Sequence, residues 1–252
     1  MSAVLEVKNL SKSFGGVKAV NGVSFSLNAG EVLAMIGPNG AGKSTCFNLI
    51  NGQLKCDNGS IKILGQETTG MKPREIWALG VGRTFQVTST FPSMTVLENV
   101  QMVLVSHYRK TLSLFTKVSG LYREEAMELL RLVGIDEQYN RPCGILAYGD
   151  LKRIELAIAL ANKPKLLLMD EPTAGMGTKE RLKLMELTST ITRDKSIGVL
   201  FTEHDMDVVF GHADRIIVLN RGRLIAEGAP GEVRNNEEVR EIYFGTCAAP
   251  VH

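Results

Sequence analysis

The tightest constraint on this chain is a nine-residue stretch joining an apolar run to a helical pattern. Val32-Leu33-Ala34-Met35-Ile36 is a short continuous apolar segment, the pattern of a strand buried on both faces. Cys46, Phe47, Leu49 and Ile50 then recur at helical spacing. Between the two lie Gly37, Pro38, Asn39, Gly40, Ala41, Gly42, Lys43, Ser44 and Thr45, a complete G-x-x-x-x-G-K-[ST] phosphate loop in the strand–loop–helix setting the motif requires. The glycines let the backbone turn tightly, so that successive N–H groups point at one anion. Lys43 adds a point charge across β- and γ-phosphate oxygens, and the Ser44 hydroxyl can ligate Mg²⁺. The positive end of the helix dipole finishes the anion site. Such a segment is expected to bind a nucleoside triphosphate.

At 252 residues the chain fits one large α/β domain with a small subdomain set into it. A net charge of +2 argues for neither a nucleic-acid footprint nor a polyanionic tail. Apolar runs such as Leu166 to Met169 and Ile216 to Leu219 fall far short of the roughly 20 residues that cross a bilayer. Glu6 and Lys8 interrupt what a signal peptide would keep apolar. The expectation is a cytoplasmic chain that leaves any membrane spanning to another polypeptide. Cys46, Cys56, Cys143 and Cys247 are scattered, with no C-x-x-C pair, so reduced thiols are expected and a zinc site is not.

Along the chain, Val4 to Val7 and Val23 to Leu27 alternate as strands, with turn signals at Gly15-Gly16, Asn21-Gly22 and Asn28-Ala29-Gly30. Another short strand, Ile61 to Leu64, follows, and the text up to Val87 reads as β-rich around one helix. From Val96 to Leu132 the spacing turns helical, with Ser106 to Gly120 between as a short amphipathic helix or a partner-facing loop. Leu151 to Leu160 reads as a helix and Leu166 to Met169 as a buried strand. A helix over Lys179 to Ile191, a strand at Gly198 to Phe201, a short helix and a strand at Ile216 to Leu219 continue the alternation, which implies a parallel sheet covered by helices on both faces. Asn220 to Arg223 reads as a hairpin turn, and Glu237 to Phe244 as a last helix.

The strand ending in Asp170-Glu171 supplies the second half of a nucleotide site. An aspartate at the tip of a buried parallel strand can hold the hydration shell of Mg²⁺ opposite Ser44. The adjacent Glu171 would point towards the γ-phosphate, where a carboxylate orients or deprotonates the attacking water. By themselves two such acids only mark a strand running into solvent; the phosphate loop upstream decides between the readings. Gln86 and His204 each follow a strand, the position where α/β proteins place ligand groups, yet a lone glutamine or histidine is ordinary surface.

The order of these elements over nearly the whole chain resembles the ATP-binding subunit of an ABC transporter: phosphate loop, Gln86, Leu146-Ala147-Tyr148-Gly149-Asp150, Leu166 to Glu171, then His204. The resemblance implies an α/β fold, a P-loop NTPase core of the ABC ATPase type with an N-terminal antiparallel β subdomain and an inserted α-helical subdomain. It divides a single domain, 1–252, into a core over 1–87 and 162–229, a helical subdomain over 88–161 and a C-terminal helix and tail over 230–252. It further implies that Phe14 stacks on adenine and that Gln86 reaches Mg²⁺ or the lytic water and senses a transmembrane partner. His204 would contact the γ-phosphate, where a donor neutralises developing charge. Ala147, Tyr148 and Gly149 would face the ATP of a second ATP-binding subunit, identical or different. Transmembrane permease subunits are implied as partners, through the surface around Gln86 to Met94 and the insert after it. A solute-binding protein is implied indirectly, no nucleic acid is expected, and the chain would sit peripherally on the inner face of the plasma membrane.

Two departures carry information. Ala147 stands where the common signature L-S-G-G-Q has serine, and Asp150 where it has glutamine; Ala174-Gly175-Met176-Gly177 lacks the usual aspartate. Together with Glu203-His204-Asp205-Met206, Tyr243-Phe244-Gly245 and Gly82 to Gln86, they look like the LivG-type ATPases of branched-chain amino acid importers, with other small solutes open as cargo. A soluble ABC ATPase without a permease, and a regulatory module that holds ATP but cleaves it weakly, are the competing readings. No second ATPase domain, long coiled coil or basic stripe supports the former, and Glu171 with His204 argues against the latter.

Overall fold

The computed structural model describes residues 2–84, 90–108 and 120–244. Gln86 and most of the Ser106 to Gly120 insert lie outside the described residues.

Two sheets organise the chain. The first is antiparallel, built from β1 (Ala3–Phe14), β2 (Val17–Asn28), β4 (Asn58–Ile63) and β5 (Gln66–Glu67) in the order β2-β1-β4-β5. β1 and β2 run well beyond the short strands read from the sequence. Asn21-Gly22 does not end β2: Leu10 pairs with Val23 and Lys12 with Val20, so one extra residue is absorbed as a bulge. Gly22, at φ +71°, takes the backbone conformation that allows it.

The second sheet has the order β10-β9-β3-β8-β7-β6, from β3 (Val32–Ile36), β6 (Val81–Thr84), β7 (Leu166–Asp170), β8 (Gly198–Thr202), β9 (Arg215–Asn220) and β10 (Arg223–Gly228). All its pairings are parallel except β9 with β10. Because side chains alternate across a strand, β3 feeds two different cores. Leu33 and Met35 join Leu5, Leu27, Ile63 and, from α1 (Lys43–Ile50), Phe47 and Ile50, filling the space between the sheets. Val32, Ala34 and Ile36 face the other way, into a core completed by α3 (Val96–His107), α4 (Arg123–Leu132), α5 (Tyr148–Leu160) and α6 (Thr178–Lys195).

Two helices were not anticipated, α2 (Pro73–Ala78) and α8 (Pro230–Asn235). Each is too short to show a hydrophobic period, yet each begins with proline, whose missing N–H costs nothing at that position. In each, the acid at the third helical residue accepts the N–H before the helix: Glu75 from Lys72 and Glu232 from Ala229, both at 2.8 Å. α7 (Met206–His212) and α9 (Glu237–Phe244) complete the order.

Candidate functional site

The strands of a parallel sheet deliver their carboxyl ends to one edge, and there β3, β7 and β8 deliver three loops side by side. From β3 comes the phosphate loop, pressed against its neighbours. A Cβ on Gly37 would lie 2.2 Å from the Leu219 carbonyl oxygen, and one on Gly42 2.3 Å from that of Ala19. The turn between β9 and β10 ties it down further, Gly222 N–H donating to Ala41 O at 2.9 Å. Gly42, at φ +104°, starts α1 with no side-chain cap. The helix's first amides are thus left for an anion.

Lys43 is buried, and its Nζ donates to the loop's own Gly37 and Pro38 carbonyls. Burial pushes its ammonium below the ordinary lysine value, against the pull of Glu171 and then Asp170. An ammonium turned onto carbonyl oxygens, in a loop rich in amides, fits a site whose anion would supply better acceptors. Ser44 stands exposed. The loop residues from Pro38 to Thr45 line a cleft of about 290 Å³ with Ala19, Glu171 and His204.

From β7 come Asp170 and Glu171. Asp170 pairs with Thr202 across the sheet, and the Thr202 hydroxyl donates to Asp170 Oδ1 at 2.7 Å while accepting the Glu171 N–H at 3.0 Å. Oδ2 has no hydrogen-bond partner among the described residues. It is available, with Ser44, to a hard cation that prefers oxygen ligands and keeps several waters. No group of three His, Cys, Asp or Glu side chains able to hold a metal occurs among the described residues, so any cation here would need phosphate oxygens or water. Glu171 adopts φ +48°, a left-handed conformation that costs a non-glycine residue energy and persists only where its surroundings hold it.

From β8 comes His204, whose Nε2 lies 3.0 Å from Glu171 Oε1. Its neighbour Glu203 is buried and turned inward, accepting from the Thr173 N–H at 2.8 Å, the Thr173 hydroxyl at 2.6 Å and the His204 N–H at 3.1 Å. In the sequence Glu203 stands out only as part of the Glu203-His204-Asp205-Met206 likeness, and neither it nor Thr202 is assigned a contact. A polar pair ending an apolar strand was the available signal, but nothing local says that such a pair points inward.

The structure thus brings the phosphate loop, Glu171 and His204 to one cleft with Asp170 beside it. Phe14 ends β1, half exposed, with Lys12 Nζ 5.6 Å from its ring centre, and is not among the residues lining that cleft. Ala147, Tyr148 and Gly149 are elsewhere too. Ala147 caps α5, which starts at Tyr148 rather than at Leu151 as read from the sequence. Tyr148 packs over Gly175, and Gly149 faces the Glu180 carboxylate.

Comparison with known proteins adds three findings. The sequence profile of the ABC transporter family matches residues 20–174, and that of the branched-chain amino acid ATP-binding cassette transporter matches residues 223–246. Over 251 residues the chain is 38% identical to the high-affinity branched-chain amino acid transport ATP-binding protein LivG of Escherichia coli (strain K12), covering 96% of this chain and 98% of that one. Among solved structures, the ADP conformation of an ATP-binding cassette of an ABC transporter superposes with a TM-score of 0.86 at 32% identity, over 97% of this chain and 100% of the other. A dimeric post-hydrolysis cassette bound to ADP and Pi gives 0.75 at 28% identity, over 90% and 98%.

Proposed function

The chain belongs to the ABC transporter family, and from that premise we propose that it is the ATP-hydrolysing subunit of an importer for branched-chain or other hydrophobic amino acids or related small solutes. The cargo is supported by the end-to-end likeness to LivG and by the profile match at residues 223–246. The hydrolytic role of particular residues is carried by one observation: Glu171 and His204 sit 3.0 Å apart in the cleft that the phosphate loop lines.

In this reading Lys43 gives up the Gly37 and Pro38 carbonyls for β- and γ-phosphate oxygens, and the amides at the start of α1 hold the phosphates. Glu171 orients and deprotonates the attacking water. His204 donates to the γ-phosphate as charge builds on its oxygens. Ser44, Gln86 and Asp170 would hold Mg²⁺, which would supply neutralisation of phosphate charge. Phe14 stacks on adenine.

A second ATP-binding subunit supplies Ala147, Tyr148 and Gly149 across the dimer, and the surface around Gln86 to Met94 with the insert after it would meet the permease subunits. Closure of the dimer on ATP then shifts the permease between its two states by ATP's differential affinity for them. Among the described residues no helix is long and apolar enough to cross a membrane, in keeping with a peripheral subunit on the cytoplasmic face.

Glu171→Gln should abolish phosphate release while ATP stays bound and dimers accumulate. Normal hydrolysis by that variant would remove Glu171 from the mechanism. Sedimentation of the full chain with membranes distinguishes a transport subunit from a soluble ABC ATPase, which would remain in the supernatant.

A further inference from the structure

A carboxylate taken out of water is tolerated only where donors surround it. Glu203 is 4% exposed, and its three donors are not scattered. Oε1 takes both the N–H and the hydroxyl of Thr173, and Oε2 takes the N–H of His204. Thr173 lies two residues beyond Glu171 in the loop after β7, whereas Glu203 itself opens the loop after β8 and His204 follows it. One carboxylate therefore bridges the two loops whose tips carry the Glu171–His204 contact.

Both tips need such support. Glu171 is held at φ +48°, and its N–H is fixed by the carbonyl and hydroxyl of Thr202. The His204 side chain is half exposed, so packing does little to orient it. The backbone of His204 is instead gripped on both flanks. Glu203 takes its N–H, and the next residue, Asp205, accepts from the N–H groups of Asp207 and Val208 and pairs with Arg181 of α6. Glu203 is not among the residues that line the nucleotide cleft.

We propose that Glu203 is a positioning residue for ATP hydrolysis: by binding Thr173 and the His204 N–H at once, its carboxylate sets the register between Glu171 and His204. The proposal rests on the reading of those two as the hydrolytic pair. A displacement of about 1 Å in a reacting group can cost on the order of a hundredfold in rate, so a brace two residues from the base has leverage over turnover without touching nucleotide.

The chemistry of the bridge dictates the test. A glutamine at 203 keeps one acceptor oxygen for Thr173 but turns an NH₂ towards the His204 N–H, donor against donor. Thr173→Val removes only the hydroxyl donor, and Thr173→Ser keeps it. The full-length chain is assayed for phosphate release with Mg²⁺ and ATP, for equilibrium ATP binding and for thermal melting.

Glu203→Gln should lower kcat about tenfold or more, with KM and ATP affinity near wild type and the chain fully folded at the assay temperature, whatever the drop in melting temperature. Thr173→Val should lower kcat, Thr173→Ser should retain it, and Thr173→Val should cost nothing further in a Glu203→Ala background, as expected for two partners of one interaction. Unchanged kcat in both Glu203 variants overturns the proposal. So does a loss that tracks ATP affinity or the folded fraction, or a Thr173→Val effect that persists undiminished without Glu203. Glu171→Gln, assayed alongside, separates the two levels. If it turns over normally, the hydrolytic pair itself is wrong and this inference goes with it. If it is inactive while the Glu203 variants run at full rate, only the role of Glu203 is lost.

Discussion

Two glycines of the phosphate loop differ in what they must do, and the difference can be measured. Gly42 combines φ +104° with a Cβ position 2.3 Å from the Ala19 carbonyl oxygen, whereas Gly40, at φ +79°, has nothing within 4 Å of its own. Alanine at 40 meets only the backbone penalty, about 1 kcal/mol. Alanine at 42 adds a clash with backbone that cannot rotate away, for a total of about 3 kcal/mol, and pushes β2 off the loop that would hold phosphate. Gly42→Ala is therefore expected to lower the melting temperature far more than Gly40→Ala and to weaken ATP binding sharply. Equal shifts in the two variants would show that Ala19 yields and that the loop is looser than its packing implies.

At the scale of elements, the end of β1 is held by a residue just before β4. Asp57 binds Lys12 Nζ through Oδ1 and the Ser13 N–H through Oδ2, each at 2.7 Å, next to Phe14. The Lys12 hydrogen bond, and then that of Ser13, keep the Asp57 carboxyl below the ordinary carboxylate value. A folded-state pKa below the unfolded one means a contribution that is present above the unfolded value and lost as pH falls through the folded value. Asp57→Asn should thus be less stable than wild type near pH 7, and the gap should close in acid; urea midpoints at the two pH values check this, and an equal gap at both would exclude the carboxylate as its source. What could be read from sequence at this scale follows from periodicity. β3, β7, β8 and β9 were legible because buried parallel strands are continuous apolar runs, and the hairpin at Gly15-Gly16 because its residues demand it. Asn21-Gly22 misled because the same dipeptide that ends a strand also makes a bulge inside one. The bridge from Glu203 to Thr173 joins residues 30 apart, and no local pattern encodes such a contact.

At the scale of the molecule, the cleft is made from one side only. The residues lining it come from the phosphate loop, Ala19, Glu171 and His204, while Gly149 lies against Glu180 and Tyr148 against Gly175. The family resemblance was legible over the full length, but which residues share one cleft depends on sheet order, which motifs do not state. If a second copy completes the site, damage to the loop and damage to the signature helix should complement each other in a mixed dimer. Lys43→Ala removes the ammonium from one chain's own cleft. Gly149→Asp puts a carboxylate, beside Glu180 and Asp150, at a helix start meant for the other chain's phosphate. Each variant alone should be inactive while remaining folded at the assay temperature. Mixed in equal amounts, half the dimers pair one of each, and in these one site has both defects and the other has none. The mixture should regain about a quarter of the wild-type rate per chain. If the two variants instead remain inactive together, while crosslinking shows that mixed dimers form, then Gly149 does not serve the opposite subunit's ATP.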